Sequence, residues 1–373
     1  MRIGSPREIK NEEHRVGLTP AAVRELTAAG HTLLIESGAG VDAGFADADY
    51  EASGARLVAS ADELYAQSEL IVKVKEPQRQ ELDRLRPDHV LFGYLHLAAE
   101  PELARALMDR GVTAIAYETV TGPGNSLPLL APMSRIAGRM AVQVGAHHLE
   151  KPAGGMGVLL GGAPGVAAAR VLVIGAGIAG TSAVEIAVGM QADVTVVDND
   201  VGKLERLASR YENRVRTVYS TADAIARYTA DAALVVGTVL VPGRSAPKLV
   251  TRDMVAGMRA GAVMVDVAID QGGCFETSRP TTHADPVYSV DGVLHYCVTN
   301  IPGAVPRTAT HALVNSTLPH VRSLADHGWR KALERDPHLA GGLNVQGGSL
   351  RHPAVAAELG RSDILAPATP PTP

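Results

Sequence analysis

The feature that most constrains this chain is a glycine-rich turn between an apolar run and a helix-like segment. Val171-Leu172-Val173-Ile174 leads into Gly175-Ala176-Gly177-Ile178-Ala179-Gly180. A second apolar run, Val194-Thr195-Val196-Val197, ends on Asp198, 18 residues beyond Gly180. Strand, tight turn, helix, strand and acidic end follow one another in the order a dinucleotide site needs. Each residue type has a physical reason. Gly175 permits the turn, Gly177 lets backbone N–H groups approach a pyrophosphate, and Gly180 lets the helix pack close to the strand. The helix N-terminus supplies positive potential for phosphate. The Asp198 carboxylate can accept hydrogen bonds from both ribose hydroxyls and would repel a 2′-phosphate, which favours NAD over NADP. A bare Gly-x-Gly-x-x-Gly is weak evidence. Two flanking strands and an acidic residue in register make the nucleotide reading strong.

At 373 residues the chain is expected to form two domains of ordinary size. Its 46% apolar content is ample for packed cores, and a net charge of −5 without a basic run argues against nucleic acid or an anionic membrane as partner. The longest apolar stretch, 171–190, is interrupted by Glu185, so no spanning helix is expected. The N-terminus lacks the apolar core of a signal peptide. Two cysteines, Cys274 and Cys297, are too few for a disulfide framework and read as small buried residues. A soluble cytoplasmic protein is the expectation, with a disordered Pro-rich tail after Leu365.

Strand-like runs at 2–5, 31–36, 69–74, 89–95 and 112–118 alternate with helical patterns at 20–29, 61–67, 79–86 and 101–110. Thr19-Pro20 is a good helix start and Gly30 a good stop. A long helical pattern covers about 132–151. Strands then follow at 171–175, 194–198, 215–219, 232–237, 262–267 and 293–298, and a last long helix runs from Pro306 to about Trp329. The rhythm predicts an α/β fold of two doubly wound parallel-sheet domains joined by long helices. The glycine turn is central, so a Rossmann domain at 131–305 is expected to interrupt a substrate domain made of 1–130 and 306–373. A cleft between the two is the expected meeting place of substrate and cofactor.

Ligands of open parallel sheets bind beyond the carboxyl ends of the strands. Four reactive side chains stand at such positions. Lys75 closes the run Leu70–Lys75; Lys73, in the same run, reads as a solvated lysine on an edge strand. His96 closes the run Val90–His96 and suits either a structural role or proton transfer near neutral pH. Asp270 follows the run Ala262–Ile269 and precedes Gly272-Gly273, where a carboxylate serves equally as a turn former. Asp266, inside that run, reads as structural or bonded to the loop. Arg15, in the polar loop before Thr19, has the fork geometry to clamp a carboxylate, though a solvated arginine is the default. His147 and His148, on a long helix, are expected to be partly exposed, and no metal site is expected, because the ligand spacing is missing.

Together these segments resemble the alanine dehydrogenase family over nearly the whole chain. The resemblance rests on Ser5-Pro6-Arg7-Glu8, His14-Arg15-Val16-Gly17-Leu18-Thr19-Pro20, Val72-Lys73-Val74-Lys75-Glu76-Pro77, Tyr94-Leu95-His96-Leu97-Ala98, Leu130-Ala131-Pro132-Met133-Ser134, the glycine turn, Asp266 to Gly273, and Asn300-Ile301-Pro302-Gly303. It implies NAD-dependent oxidative deamination of L-alanine to pyruvate and ammonium by a cytoplasmic homohexamer in amino-acid catabolism. It also implies site residues: Arg15 and Lys75 for substrate, His96 and Asp270 for proton handling, and Ser134, Ile178, Asp198, Lys203, Ser220, Leu240, Arg279, Asn300 and Ile301 beside the glycines for NAD. The competing reading is the similar nucleotide-binding part of a proton-translocating transhydrogenase, which has no need of His96 and Asp270 together. An NAD-sensing binding protein ranks last, because it leaves Arg15, Lys75, His96 and Asp270 as coincidence.

Overall fold

Short runs of Val, Ile and Leu with no polar alternation, bounded by turn residues, suit strands covered on both faces, and the computed structural model shows them in that state. It describes residues 1–239 and 246–360. In chain order the strands are β1 (Arg2–Ser5), β2 (Thr32–Glu36), β3 (Arg56–Val58), β4 (Leu70–Val72), β5 (Val90–Gly93), β6 (Thr113–Ala116), β7 (Arg170–Ile174), β8 (Asp193–Asp198), β9 (Arg216–Tyr219), β10 (Leu234–Gly237), β11 (Val263–Asp266), β12 (Val287–Val290), β13 (Val293–Tyr296), β14 (Leu343–Gln346) and β15 (Ser349–Leu350). The chain divides into two compact units. The first contains Met1–Met133 and the segment from Val305 onward, and the second is Ser134–Ala304. The chain passes from first to second within the helix Ala131–His148 and returns just before the helix Pro306–Arg335.

The first unit holds a sheet in the order β15-β14-β6-β5-β4-β1-β2-β3. The strands β1 to β6 are parallel, while β14 joins antiparallel to β6 and β15 antiparallel to β14. The second unit holds β12-β13-β11-β10-β7-β8-β9, parallel except for the β12–β13 hairpin at its edge. Both sheets are therefore mixed rather than wholly parallel. The added strands are short or half exposed, which removes the unbroken apolar signal that marks the central ones. In each unit the strand order reverses beside its first strand, between β1 and β4 and between β7 and β10. Such reversals open a crevice at the carboxyl ends.

Local signals act where expected at the first helix. The Thr19 hydroxyl accepts the Ala22 N–H at 3.2 Å, with Pro20 in the first helical position. The last long helix runs past Trp329 to Arg335, with a break at Gly328 (φ 73°, ψ 152°). The predicted run 69–74 stops as a strand at Val72, and β4 is central, paired to both β1 and β5. The edge-strand reading of Lys73 is thus incorrect.

Candidate active site

The loop leaving β1 folds its charges inward. The Glu13 carboxylate accepts hydrogen bonds from the Arg15 backbone N–H at 3.1 Å, from Nε at 2.6 Å and from Nη2, and Arg15 Nη1 lies 3.0 Å from Met133 Sδ. Both side chains of this pair are withdrawn from solvent, at 1% and 0% exposure. Burial alone would raise the Glu13 carboxyl. The hydrogen bonds and charge of Arg15, with the charge of Lys75, outweigh it and bring it down to about 2. The solvated-arginine default for Arg15 therefore fails. Lys75 follows β4 and is half-buried. Arg15 and Lys75 thus stand on the two loops that flank the strand reversal of the first unit. The loop Arg7–Arg15, with Gly38, Ala39 and Asp42, lines a cleft of about 380 Å³.

Lys73 is buried, with Nζ 3.0 Å from Glu8 Oε2 and 2.8 Å from Glu81 Oε1. Glu8 Oε1 also accepts the Val74 N–H at 2.7 Å, and the Tyr65 hydroxyl donates to Glu81 at 2.9 Å. Burial pushes the Glu8 carboxyl up to about 7, against the opposing pull of Lys73. The sequence reading missed this network. Two lysines one residue apart in an apolar run were its only trace.

His96 is exposed, just past β5, and takes a left-handed backbone (φ 51°) that a non-glycine residue adopts only when held there. The holder is Glu118. Its carboxylate accepts the N–H of His96 at 2.6 Å and that of Leu95 at 3.2 Å. The imidazole stacks on Tyr94, with centroids 5.9 Å apart and planes at 13°.

In the second unit the glycine turn links β7 to the helix Ile178–Gly189. Gly175 has φ 101°, and a Cβ on Gly180 would lie 1.8 Å from the Gly175 carbonyl oxygen, so no larger residue fits there. A Cβ on Gly177 would meet nothing within 4 Å. Gly177 is the N-cap, and no side chain caps the first-turn N–H groups. Open space before an uncapped helix start suits an anionic group such as a pyrophosphate. Ile178, the first helical residue, is 43% exposed.

Asp198 ends β8 and is buried. Its carboxylate accepts the Ala176 N–H at 2.6 Å and the Asp200 N–H at 2.8 Å, with Lys203 Nζ at 3.7 Å. It therefore ties the glycine turn to the second strand. Four lone-pair sites leave such a carboxylate capacity for a ribose as well. The half-buried Ser220 donates its N–H to the Asp198 carbonyl at 3.0 Å.

Asp270 is exposed on a short 3-10 turn after β11. Asp266 braces the following loop from within, accepting the N–H groups of Ala268 at 3.0 Å and Cys274 at 2.9 Å and the Ser278 hydroxyl at 2.5 Å. Lys248 Nζ grips the same loop by the carbonyls of Gly272, Gly273 and Phe275, a contact with no local signal in the sequence. The Arg279 guanidinium lies 4.0 Å over the Tyr288 ring. Asn300 has φ 62°, its carbonyl accepts His283 Nε2 at 3.1 Å, and Ile301 beside it is buried. Ser134 is half-buried on the helix Ala131–His148, and Leu240 lies outside the described residues, as does the Pro-rich tail. His147 is exposed, whereas His148 is buried against Tyr296. Among the described residues no group of three His, Cys, Asp or Glu side chains could hold a metal, and no helix is long and apolar enough to cross a membrane.

Two family models cover this arrangement: "Alanine dehydrogenase/PNT, N-terminal domain" over residues 4–137 and "Alanine dehydrogenase/PNT, C-terminal domain" over 141–353. The chain belongs to the alanine dehydrogenase family. An alanine dehydrogenase from Halomonas elongata is 58% identical over 96% of this chain and 97% of its own length. One from Mycobacterium tuberculosis is 53% identical, with the same coverage. A solved L-alanine dehydrogenase superposes with a TM-score of 0.94 at 54% identity, over 96% of this chain and 99% of that one. A transhydrogenase from Sinorhizobium meliloti matches with a TM-score of 0.82 at 26% identity, over 95% and 100%. The alanine dehydrogenase family consists of NAD-dependent oxidoreductases, and the open, uncapped glycine turn fits that cofactor.

Proposed function

We propose that the chain is an L-alanine dehydrogenase: L-alanine, NAD⁺ and water give pyruvate, ammonium, NADH and a proton, reversibly. The observation that carries this reading is the near-full-length likeness to alanine dehydrogenases, about twice as strong in identity as the likeness to the transhydrogenase. We assign substrate binding to residues 1–130 and 306–373 and NAD binding to 131–305.

NAD, when bound, supplies the hydride acceptor for the alanine Cα–H and, in reverse, the hydride donor. It would be held by Gly175, Gly177, Ile178 and Gly180 at its pyrophosphate, by Asp198 at its ribose, and by Ser134, Lys203, Ser220, Leu240, Arg279, Asn300 and Ile301 around them. The chain's own groups do the rest. Arg15 holds the substrate carboxylate. Lys75 donates a hydrogen bond to the ketone oxygen and polarises it toward attack by ammonia. The carbinolamine so formed must lose water, which requires a proton delivered to the departing oxygen, and we assign that transfer to His96. Asp270 orients ammonia or water and offsets the cationic iminium. The resemblance extends the reading to a cytoplasmic homohexamer in amino-acid catabolism, and light scattering on the purified protein tests the assembly.

NADH oxidation by the purified protein with pyruvate and ammonium is the direct test. Turnover only with a second dinucleotide as acceptor would favour the transhydrogenase reading. His96→Ala and Asp270→Asn should each lower kcat by about 10²–10⁴-fold while leaving NADH affinity unchanged. Near-normal turnover in either variant removes that residue from the mechanism.

A further inference from the structure

Every backbone N–H and carbonyl of residues 271–275, the loop directly after Asp270, is hydrogen-bonded. The N–H groups reach back to the end of β11. Those of Gln271 and Gly273 go to the Ala268 carbonyl at 2.9 and 3.0 Å, and that of Gly272 goes to Ile269 at 2.9 Å. Those of Cys274 and Phe275 go to the Asp266 carboxylate at 2.9 and 3.4 Å. The carbonyls are all taken up by one other segment, 246–250. The Ala246 N–H donates to Gln271 at 2.9 Å and the Leu249 N–H to Cys274 at 2.8 Å. Lys248 Nζ donates to Gly272, to Gly273 at 2.9 Å and to Phe275 at 3.1 Å.

An ammonium has three N–H donors, and here three carbonyls receive them. Gly272 and Gly273 are both left-handed, with φ 88° and 74°, which curls the chain out of ladder geometry. A backbone segment does not serve their two carbonyls; a four-carbon stem ending in a cation does. Pro247, its φ fixed by the ring, stiffens the segment just before the lysine. Lys248 itself is exposed, so the core loses nothing when it is cut back, and what it supplies is the donor set. Asp270 lies on the 3-10 turn Ile269–Gln271, and the clamp takes hold where that turn ends. The loop that fixes Asp270 is thus held by buried Asp266 on one side and by Lys248 on the other.

We infer that Lys248 is a positioning residue for Asp270: it touches neither substrate nor cofactor in the reaction as proposed, and acts by holding the loop that aims the carboxylate. The inference rests on the assignment of Asp270 to ammonia and the iminium. Arg15 and Lys75 hold the keto acid from the other unit, so loosening this loop is read by one substrate and not by the other.

Lys248→Met keeps the stem and removes the donors. In NADH oxidation with pyruvate and ammonium, kcat/KM for ammonium should fall about tenfold or more, while the KM for pyruvate and the Kd of NADH stay within about twofold. Native kinetics, or a loss shared equally by pyruvate and NADH, overturns the inference. In an Asp270→Asn background the same substitution should lower the remaining rate by less than about twofold, because the group it positions is already gone. A larger further loss shows a route other than Asp270 and overturns the inference. Lys248→Arg keeps the charge but presents a planar fork in place of three tetrahedral donors, and should fall between native and Lys248→Met. If Lys248→Met does not fold, Lys248→Arg decides: a loss of about threefold or more confined to ammonium supports the inference, and any other result overturns it. Near-native turnover in Asp270→Asn refutes the Asp270 assignment and the inference with it. A collapse in Asp270→Asn with none in Lys248→Met refutes the inference alone.

Discussion

The two sheets reverse strand order at corresponding places but build their strand ends differently. In the second unit β7 ends in backbone: a left-handed Gly175, an open Gly177 and a Gly180 whose missing Cβ admits the Gly175 carbonyl. In the first unit β1 and β4 end in buried ions, with Glu13 on Arg15 and with Lys73 between Glu8 and Glu81. One region is specified by what is absent from the side chains, the other by how distant charges are paired. The first is robust to charge and intolerant of volume. The second is the reverse.

That contrast can be broken most severely at Lys73. Lys73→Met leaves Glu8 and Glu81 buried without their cation and should destabilise the protein by about 3–5 kcal/mol in denaturant unfolding at pH 8. A loss below about 1 kcal/mol would mean the network adds little to stability. On the backbone side, Gly180→Ala forces a methyl against a carbonyl and should cost about 1–3 kcal/mol while weakening NADH binding measured by fluorescence. Unchanged NADH affinity would separate the tight packing of Gly180 from cofactor binding.

A pH series sharpens the comparison further. Burial raises Glu8 to about 7 from 4.5, so between these values the folded state holds the extra proton. Stability contributed by Glu8 therefore falls as pH rises from about 4.5 to 7. Glu13 works in the opposite sense: its contribution is complete above 4.5 and is lost as pH falls through about 2. Glu8→Gln should remove the decline above pH 5, gaining on the native protein by on the order of 2 kcal/mol between pH 5 and 8. Parallel pH curves for the two proteins would discard this assignment. The smallest effect is expected at a local signal. Thr19→Ala should cost about 1 kcal/mol, seen as a modest drop in Tm, and no drop would show that Pro20 alone starts the helix.

Much of the parallel core was legible, since β5, β6, β10 and β11 are predominantly apolar and buried along their whole length. The strands that escaped sequence reading are of another kind. β3 has three residues and β15 two, while β12 is half exposed. Short or half-wet strands carry no periodicity to read. Among the proposed site residues, the positions of Arg15, Lys75, His96 and Asp270 after β1, β4, β5 and β11 could be read from where apolar runs stop. Their partners could not, because Glu118 stands 22 residues from His96 and Lys248 some 25 from the loop it grips.

By itself the sequence determined the glycine turn, the alternation of buried strands with helices, and the capped helix start at Thr19. These depend on backbone freedom and on patterns within one local window. Only the tertiary structure decided that Lys73 is a central ion rather than an edge lysine, and that Glu118 holds His96 in a left-handed conformation. It also decided that the buried Asp198 carboxylate ties the glycine turn to β8 through the Ala176 N–H. Each of these depends on pairing a buried charge or N–H with a group brought from another segment of the chain. Desolvation makes such pairing obligatory, but no local pattern names the partner.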